Sequence, residues 1–362
     1  MQHPRLEHLR QNDWWLNGAV LLFMIFSLAI IFSLESAGGE PGRFLKQLIF
    51  VLLGIILLWL TTYINYRKVV NYGYVLYIIG ILVLVAVLLF GVTIHGTTGW
   101  FQLAGMSVQP VEFVKIIFVV VLARFLGDHA HRVNNWKVVA KILGLLAGYI
   151  VLVLLQPDLG SAGVLVATGG IMLFCSSVSL KKIAVLVAVG AVLAILAWLF
   201  YFSNYQRDRI LTFIQPERDP LVSGYNVKQA VISVGSGQLF GRGLGLGTQT
   251  QLKFLPERET DFIFAVIAEE LGFVGVVVIL ALYVAVYLRL LKGVKRSRDD
   301  YARFLLIGFA GMLFTQMFIN LGMNLGIMPV TGIPLPFVSA GGSSLLALCT
   351  GIGLMQNSLR ER

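Results

Sequence analysis

Charge is what this sequence has least of. Only 13% of its 362 residues are Asp, Glu, Lys or Arg, where a soluble domain carries roughly 25%. With 57% hydrophobic residues and a mean hydropathy of +0.84, the scarcity excludes an ordinary soluble enzyme and a disordered chain. Cysteine is nearly absent. Cys175 and Cys349 stand far apart within apolar runs, which excludes a disulfide framework and a CxxC metal site and marks both as small buried hydrophobes. Acidic residues are outnumbered 18 to 28 by Lys and Arg, a net charge of +10. The excess excludes nucleic acid as the partner rather than inviting it, because the basic residues fall in short clusters between apolar runs, where they set membrane topology.

What is present is long apolar runs. A bilayer-crossing helix needs about 20 mostly apolar residues, and ten segments qualify: 15–34, 44–63, 74–94, 110–127, 138–156, 160–178, 183–202, 262–290, 303–322 and 343–357. They predict an all-α polytopic integral membrane protein of about ten transmembrane helices, a single domain over 1–362. The first run is too long for a signal peptide and lacks a cleavage site, so it reads as a retained helix. Eighteen basic residues, from Arg5 and Arg10 to Arg360 and Arg362, fall on one side of this topology, and only Arg43 and Lys46 occupy the short connections of the other. Both termini are therefore expected in the cytoplasm. Residues 203–261, between the seventh and eighth spans, form a large extracellular loop with seven basic and six acidic residues. Loops of that length are exempt from the charge rule and are usually functional. Inside it, 226–237 has a short helical pattern and 241–251 is dense in glycine without the Gly-Lys-Ser/Thr of a P-loop. That run is either a turn packed at the membrane surface or a backbone wall open to a phosphate or sugar.

Ionisable residues inside spans are costly and mark functional candidates. Glu112 and Lys115 are three apart, neighbours on one helix face. They are a self-neutralising structural pair, or a cavity-facing lysine held by its glutamate for an anionic ligand. Asp158 lies in Gln156-Pro157-Asp158-Leu159-Gly160, where one span ends and the next begins, with no partner evident in the sequence. Asp261 stands where the long loop enters its span, behind Glu257 and Glu259. It is a helix cap with Thr260, or a general base at the membrane surface. Glu269 and Glu270 are adjacent and so point in different directions. Residues 323–344 have three prolines and no charge, a non-helical stretch tolerated at membrane depth only when buried in protein or lining a cavity. It offers the hydroxyls of Ser339, Ser343 and Ser344.

The long strings 224–275, Asn324–Ser344, Gln109–Ile116 and Gln156–Ala162 are similar to those of the SEDS family of RodA, FtsW and SpoVE, over nearly the whole chain. GSGQLFGRGLGLGTQTQ and PVTGIPLPFVS look more like RodA, which implies a place in elongation and rod shape. The resemblance implies a peptidoglycan glycosyltransferase of the bacterial cytoplasmic (inner) membrane, its active site facing outward. It would polymerise lipid II with a class B penicillin-binding protein as transpeptidase partner, among elongation-complex proteins, and release undecaprenyl diphosphate. The family's essential aspartate falls on Asp261 and its ion pair on Glu112 and Lys115. The sequence departs from the family at Thr98-Gly99-Trp100, which lacks the usual Arg before Trp100, at Val111, at Ala340 in place of Tyr, and at Glu259 in place of His, which would add negative charge beside the base.

Transfer from a diphosphate-linked sugar needs one base and cations for the leaving group. A glycosidase would need two placed carboxylates. Asp261 is the candidate base, and Lys115 and Arg209 the candidate cations. Asp158, Trp100, Glu257, Ser343 and Ser344 complete the candidate substrate-binding or structural support. A divalent cation such as Mg or Mn, with Asp261 as ligand, is the alternative. A lipid II flippase or a non-catalytic scaffold for the transpeptidase are the competing functions. The concentration of ionisable residues toward the outer ends of the spans favours chemistry at one face over passage through both.

Overall fold

A computed structural model describes residues 12–36, 38, 41–94, 96–103, 106–202, 204–215, 223–252 and 254–360. Arg5, Arg10 and Arg362 of the basic-residue count, and 216–222 and Lys253 of the long loop, lie outside the described residues. The chain runs α1 (Trp14–Ser36), α2 (Arg43–Thr62), α3 (Tyr66–Asn71), α4 (Gly73–Phe90), β1 (Val92–Ile94), β2 (Thr97–Leu103), β3 (Met106–Val108), α5 (Val111–Asp128), α6 (Trp136–Leu155), α7 (Leu159–Phe174), α8 (Leu180–Phe200), α9 (Asn204–Ile214), α10 (Ser223–Ser236), α11 (Thr248–Gln251), α12 (Ile263–Arg296), α13 (Asp300–Asn324) and α14 (Gly342–Arg360). Short polar residues start several of the helices. Asn65, Asn135, Asp158 and Asp299 each accept a backbone N–H of the first turn from the N-cap, a contact worth about 1 kcal/mol.

Seven helices, α1, α2, α4, α6, α8, α12 and α13, are long and apolar enough to cross a membrane. The other three predicted spans are helices too, each with a reason to fall short of that description. α5 carries Glu112, Lys115, Arg124 and Asp128, α7 has 16 residues, and α14 has polar residues toward both ends. The all-α expectation holds, with one small antiparallel sheet in the order β1-β2-β3 over 92–108. Val92 to Ile94 had been counted into the preceding span, but α4 stops at Phe90 and the β-branched Val-Thr-Ile pairs with β2 instead.

The buried side chains of these helices join in one hydrophobic cluster. Between lipid-exposed helices there is no hydrophobic drive, so small residues at crossings gain van der Waals contact. A Cβ on Gly351 would come within 2.3 Å of the Phe309 ring, and one on Gly308 within 2.7 Å of Met172 and Val119. Gly54 lies against Cys349, which is buried as expected. Cys175 is exposed, a correction to its expected burial: it caps the C-terminal end of α7, where the chain leaves the packed helices. α8 buries none of its residues.

α12 is broken. Gly272 has φ 66° and ψ −162°, a conformation essentially restricted to glycine, and the chain at 238–243 enters the break. Arg242 and Gly243 donate to the carbonyls of Glu269 and Glu270, and Phe273 and Val274 donate to those of Gln238 and Leu239.

Candidate functional site

Asp261 is half-buried, immediately before α12. Its own N–H, with those of Thr260 and Phe262, converges on the Glu257 carbonyl. Its carbonyl accepts the side-chain amides of Asn320 at 3.1 Å and Asn324 at 3.0 Å, both on α13. The peptide is thus fixed from both sides. Its carboxylate faces Gly332, where a Cβ would stand 3.7 Å from Oδ2. Gly332, itself exposed, belongs to the non-helical stretch after α13, which leaves Leu325 and Ile327 exposed and becomes buried in protein over 333–339, where only Pro334 is half-buried. Ile333, Leu335, Phe337, Val338 and Ser339 are all buried. Ser27 donates to the Val338 carbonyl, Tyr283 to the Pro336 carbonyl, and Ser339 to the Thr260 carbonyl, each at 2.6 Å. Ser339 and the Ala340 N–H, which donates to the Glu259 carbonyl at 2.8 Å, bind this stretch to the residues just before Asp261.

Glu259 does not load negative charge onto that site. Its carboxylate pairs with Arg43 at the start of α2. Arg258 is buried beside it. Burial pulls its guanidinium below the ordinary arginine value, Glu259 pushes it back up, Arg43 lowers it again, and Glu270 raises it. Glu257 is exposed and accepts the Thr260 hydroxyl at 2.9 Å.

A second cluster lies behind the same stretch. Lys115 Nζ donates to Glu112 Oε1 at 2.8 Å, with the side chains 1% and 4% exposed, so the pair is closed in on itself. Asp158, the N-cap of α7, accepts the Ser161 N–H at 2.8 Å and the Gln109 amide at 3.3 Å. The sequence showed no partner for it, and these are its partners. Burial raises its carboxyl above the usual range, the Ser161 hydrogen bonds and the Lys115 charge lower it, and Glu112 raises it. The Gln109 N–H in turn donates to the Ser343 hydroxyl at 2.9 Å. The two clusters meet at Gly160, where a Cβ would strike the Thr331 carbonyl at 2.8 Å and the Ile333 side chain at 2.9 Å. The first turn of α7, capped by Asp158, therefore packs on the residues that flank Gly332.

Trp100 is on β2 opposite Val92, and the hairpin is tied to the end of α6 by the Thr98 N–H donating to the Gln156 carbonyl. Arg209 is half-buried on α9, which packs on α10. Ser344 is buried in the first turn of α14. Glu269 and Glu270 turn out to organise the glycine-dense run. Glu269 accepts the N–H groups of Gln249 and Thr250 at 2.8 and 3.1 Å, while Glu270 accepts the Ser33 hydroxyl and the Gly245 N–H. Asn320, Asn324, Gln109 and Arg43 were missed as site residues. The first two carried a usable signal, two asparagines spaced i, i+4 inside an apolar span.

These features define a multi-pass membrane protein that presents a carboxylate on pinned backbone beside a buried, proline-rich wall. The FtsW/RodA/SpoVE family model, described as "Cell cycle protein", matches residues 10–362, and the chain belongs to that family. The peptidoglycan glycosyltransferase MrdB of Escherichia coli (strain K12) is 38% identical over 338 residues, 93% of this chain and 90% of that protein. Among solved structures, the rod shape determining protein RodA of Thermus thermophilus aligns at 32% identity and a TM-score of 0.72, covering 97% of each chain. A chain of a peptidoglycan synthase complex, described as structurally coordinating polymerization and crosslinking, aligns at 33% identity and a TM-score of 0.84 over 97% of this chain and 98% of that one.

Proposed function

We propose that this chain is a peptidoglycan glycosyltransferase that polymerises lipid II at the outer face of the bacterial cytoplasmic membrane, acting in elongation and rod shape. Family membership and the name of the MrdB relative support the activity. The ten apolar runs support ten spans in a single domain over 1–362, and the distribution of basic residues supports both termini inside and 203–261 as the outer loop. The observation that carries the site assignment is the fixed, half-buried position of Asp261 facing Gly332.

In this reading the C4 hydroxyl of the acceptor sugar attacks the anomeric carbon of the donor. Its proton passes to Asp261 as the new glycosidic bond forms and the bond to diphosphate breaks, inverting the centre. The diphosphate leaves without needing a proton, so a second catalytic acid is not required, and the products are a longer glycan and undecaprenyl diphosphate. The closed Glu112–Lys115 pair, with Asp158 and Ser343, suits structural support of the 331–333 wall better than direct contact with substrate. Trp100, Glu257 and Ser344 are the further candidates for substrate binding or support, and Arg209 is the candidate cation for the leaving group. Among the described residues no three His, Cys, Asp or Glu side chains gather as a metal site. A Mg or Mn ion at Asp261 would therefore take its remaining ligands from substrate oxygens and water. The protein partner is a class B penicillin-binding protein, a reading supported by the synthase complex that the chain resembles.

The test is polymerisation of labelled lipid II by the purified protein with its transpeptidase partner. Polymer from wild type and none from a normally folded Asp261→Asn is the expected outcome. Undiminished polymer from Asp261→Asn would remove Asp261 as the base, and lipid II crossing liposome membranes without polymer would replace the transferase with a flippase.

A further inference from the structure

Were α12 one residue longer, with Asp261 in place of Phe262 as its N-cap, the N–H of Ala265 would donate to the carbonyl four residues back, that of Asp261. Here it donates to the Phe262 carbonyl at 3.0 Å and to Asn324 Oδ1 at 3.1 Å. The Asp261 carbonyl, left without that donor, accepts Nδ2 of the same asparagine at 3.0 Å. The carboxamide of Asn324 is wedged between two backbone groups that would otherwise bond to each other. It satisfies both and keeps Asp261 outside α12.

Asn320 stands one turn earlier on the same face of α13. Its Nδ2 bridges the carbonyls of Asp261, at 3.1 Å, and Ile333, at 2.8 Å. Asn324 Nδ2 also reaches the Asn320 carbonyl at 2.8 Å. Both asparagines are 0% exposed. Ile333 follows Gly332, the residue facing the Asp261 carboxylate. A single amide therefore fixes the peptide of the carboxylate and the wall opposite it.

We propose that Asn324 and Asn320 are positioning residues for Asp261, holding its backbone out of α12 so that its carboxylate is aimed across Gly332 at the acceptor hydroxyl. This deepens, and rests on, the reading of Asp261 as the base. Position 324 requires an acceptor for the Ala265 N–H and a donor for the Asp261 carbonyl in one short planar group, which asparagine supplies. Leucine supplies neither, and the freed backbone groups then close the missing helical bond, drawing Asp261 into α12 and turning its side chain. Aspartate keeps the shape and the acceptor but sets a carboxylate oxygen against the Asp261 carbonyl. A misplacement of about 1 Å at a reacting group lowers the rate on the order of a hundredfold.

The experiment measures kcat and KM for lipid II polymerisation, with the transpeptidase partner present, for Asn324→Leu, Asn324→Asp and Asn320→Leu, alongside melting temperatures in the same detergent. For Asn324→Leu we expect kcat to fall about a hundredfold with KM within about threefold of wild type and little change in melting, because the backbone satisfies itself. A lowered melting temperature with full kcat per folded molecule would make the residue merely structural and overturn the proposal. If Asn324→Leu does not fold, Asn324→Asp, which conserves volume, decides on the same criterion. Full activity of Asp261→Asn would instead remove the base assignment, whereas an inactive Asp261→Asn beside fully active Asn324 variants would remove the positioning role alone.

Discussion

Lys115→Met takes the cation from a pair 2.8 Å apart whose side chains are 1% and 4% exposed. At an effective dielectric near 20 their attraction is about 6 kcal/mol, most of it offset by the cost of taking two charges out of water. Removing one member leaves the other charge buried and unpaired, which costs about 3–5 kcal/mol. Here the survivor is Glu112, within the electrostatic reach of a second buried carboxylate, Asp158. Lys115→Met combined with Glu112→Leu removes both charges, and replacing a buried pair with apolar side chains costs about 1 kcal/mol or less. At about 2 °C per kcal/mol for a chain of this size, the single variant melts roughly 6–10 °C lower and the double within about 2 °C of wild type. The assay is thermal melting in detergent for both singles and the double, each followed by lipid II polymerisation. If the pair is structural support, the double variant recovers most of the activity that either single loses. A double variant that folds like wild type but makes no polymer would refute this reasoning and restore Lys115 as a ligand of the leaving diphosphate.

Gly272→Ala puts a Cβ 2.3 Å from the Gly241 nitrogen and 2.7 Å from the Leu239 carbonyl carbon, backbone atoms that cannot swing aside. Strain of about 1–3 kcal/mol and loss of backbone bonds across the break at about 1 kcal/mol each predict a destabilisation of roughly 4 kcal/mol. It should appear as a lower melting temperature and new protease cleavage within 237–252, and an unchanged melting curve would refute the account. Burial raises the Asp158 carboxyl, so the folded protein holds that proton more tightly than the unfolded chain. The resulting stabilisation is complete below the unfolded value of about 3.9 and is lost as pH rises through the raised folded value. Asn at 158 keeps the cap acceptor for the Ser161 N–H without a charge, so Asp158→Asn should gain stability relative to wild type between about pH 4 and neutral pH. An equal difference in melting temperature at both would remove burial as the cause.

Most features read from local pattern survived contact with the structure, although the apolar run around Cys175 did not bury it. Runs of apolar residues located the helices because a lipid-facing helix must be apolar over its whole crossing. The i, i+3 spacing of Glu112 and Lys115 put them on one face, where they bond. What local pattern could not supply was contact between distant segments. Glu259 looked like added charge beside Asp261 until Arg43, 216 residues away, was found paired with it. Asp158 looked unpartnered because Gln109 is 49 residues from it. The break at Gly272 was hidden because a glycine within an apolar helix reads as tolerated, and only the approach of 238–243 forces its conformation. The first strand of the hairpin, Val92–Ile94, was absorbed into a hydropathy window that does not distinguish a β-branched strand from a helix end.

The fate of the polar groups within the spans bears on catalysis against transport. Carrying a sugar diphosphate headgroup across the bilayer requires polar lining at every depth. Glu112 is committed to Lys115, Glu269 to the backbone of Gln249 and Thr250, and Glu270 to Ser33 and Gly245. Arg124, at the opposite end of α5 from that pair, bonds the Val70 carbonyl and pairs with Asp128. Buried groups without a hydrogen-bond partner include Gln316 and Thr168, each sealed at 1% exposure. These carboxylates are therefore spent on holding loops and wall in place and do not line a path. Chemistry at one face asks for much less: a carboxylate on a pinned peptide, a glycine that leaves room beside it, and apolar surface for the lipid chains. Asp261, Gly332 and the exposed helix faces supply that set, which is why the transferase accounts for where the polarity sits and the flippase does not.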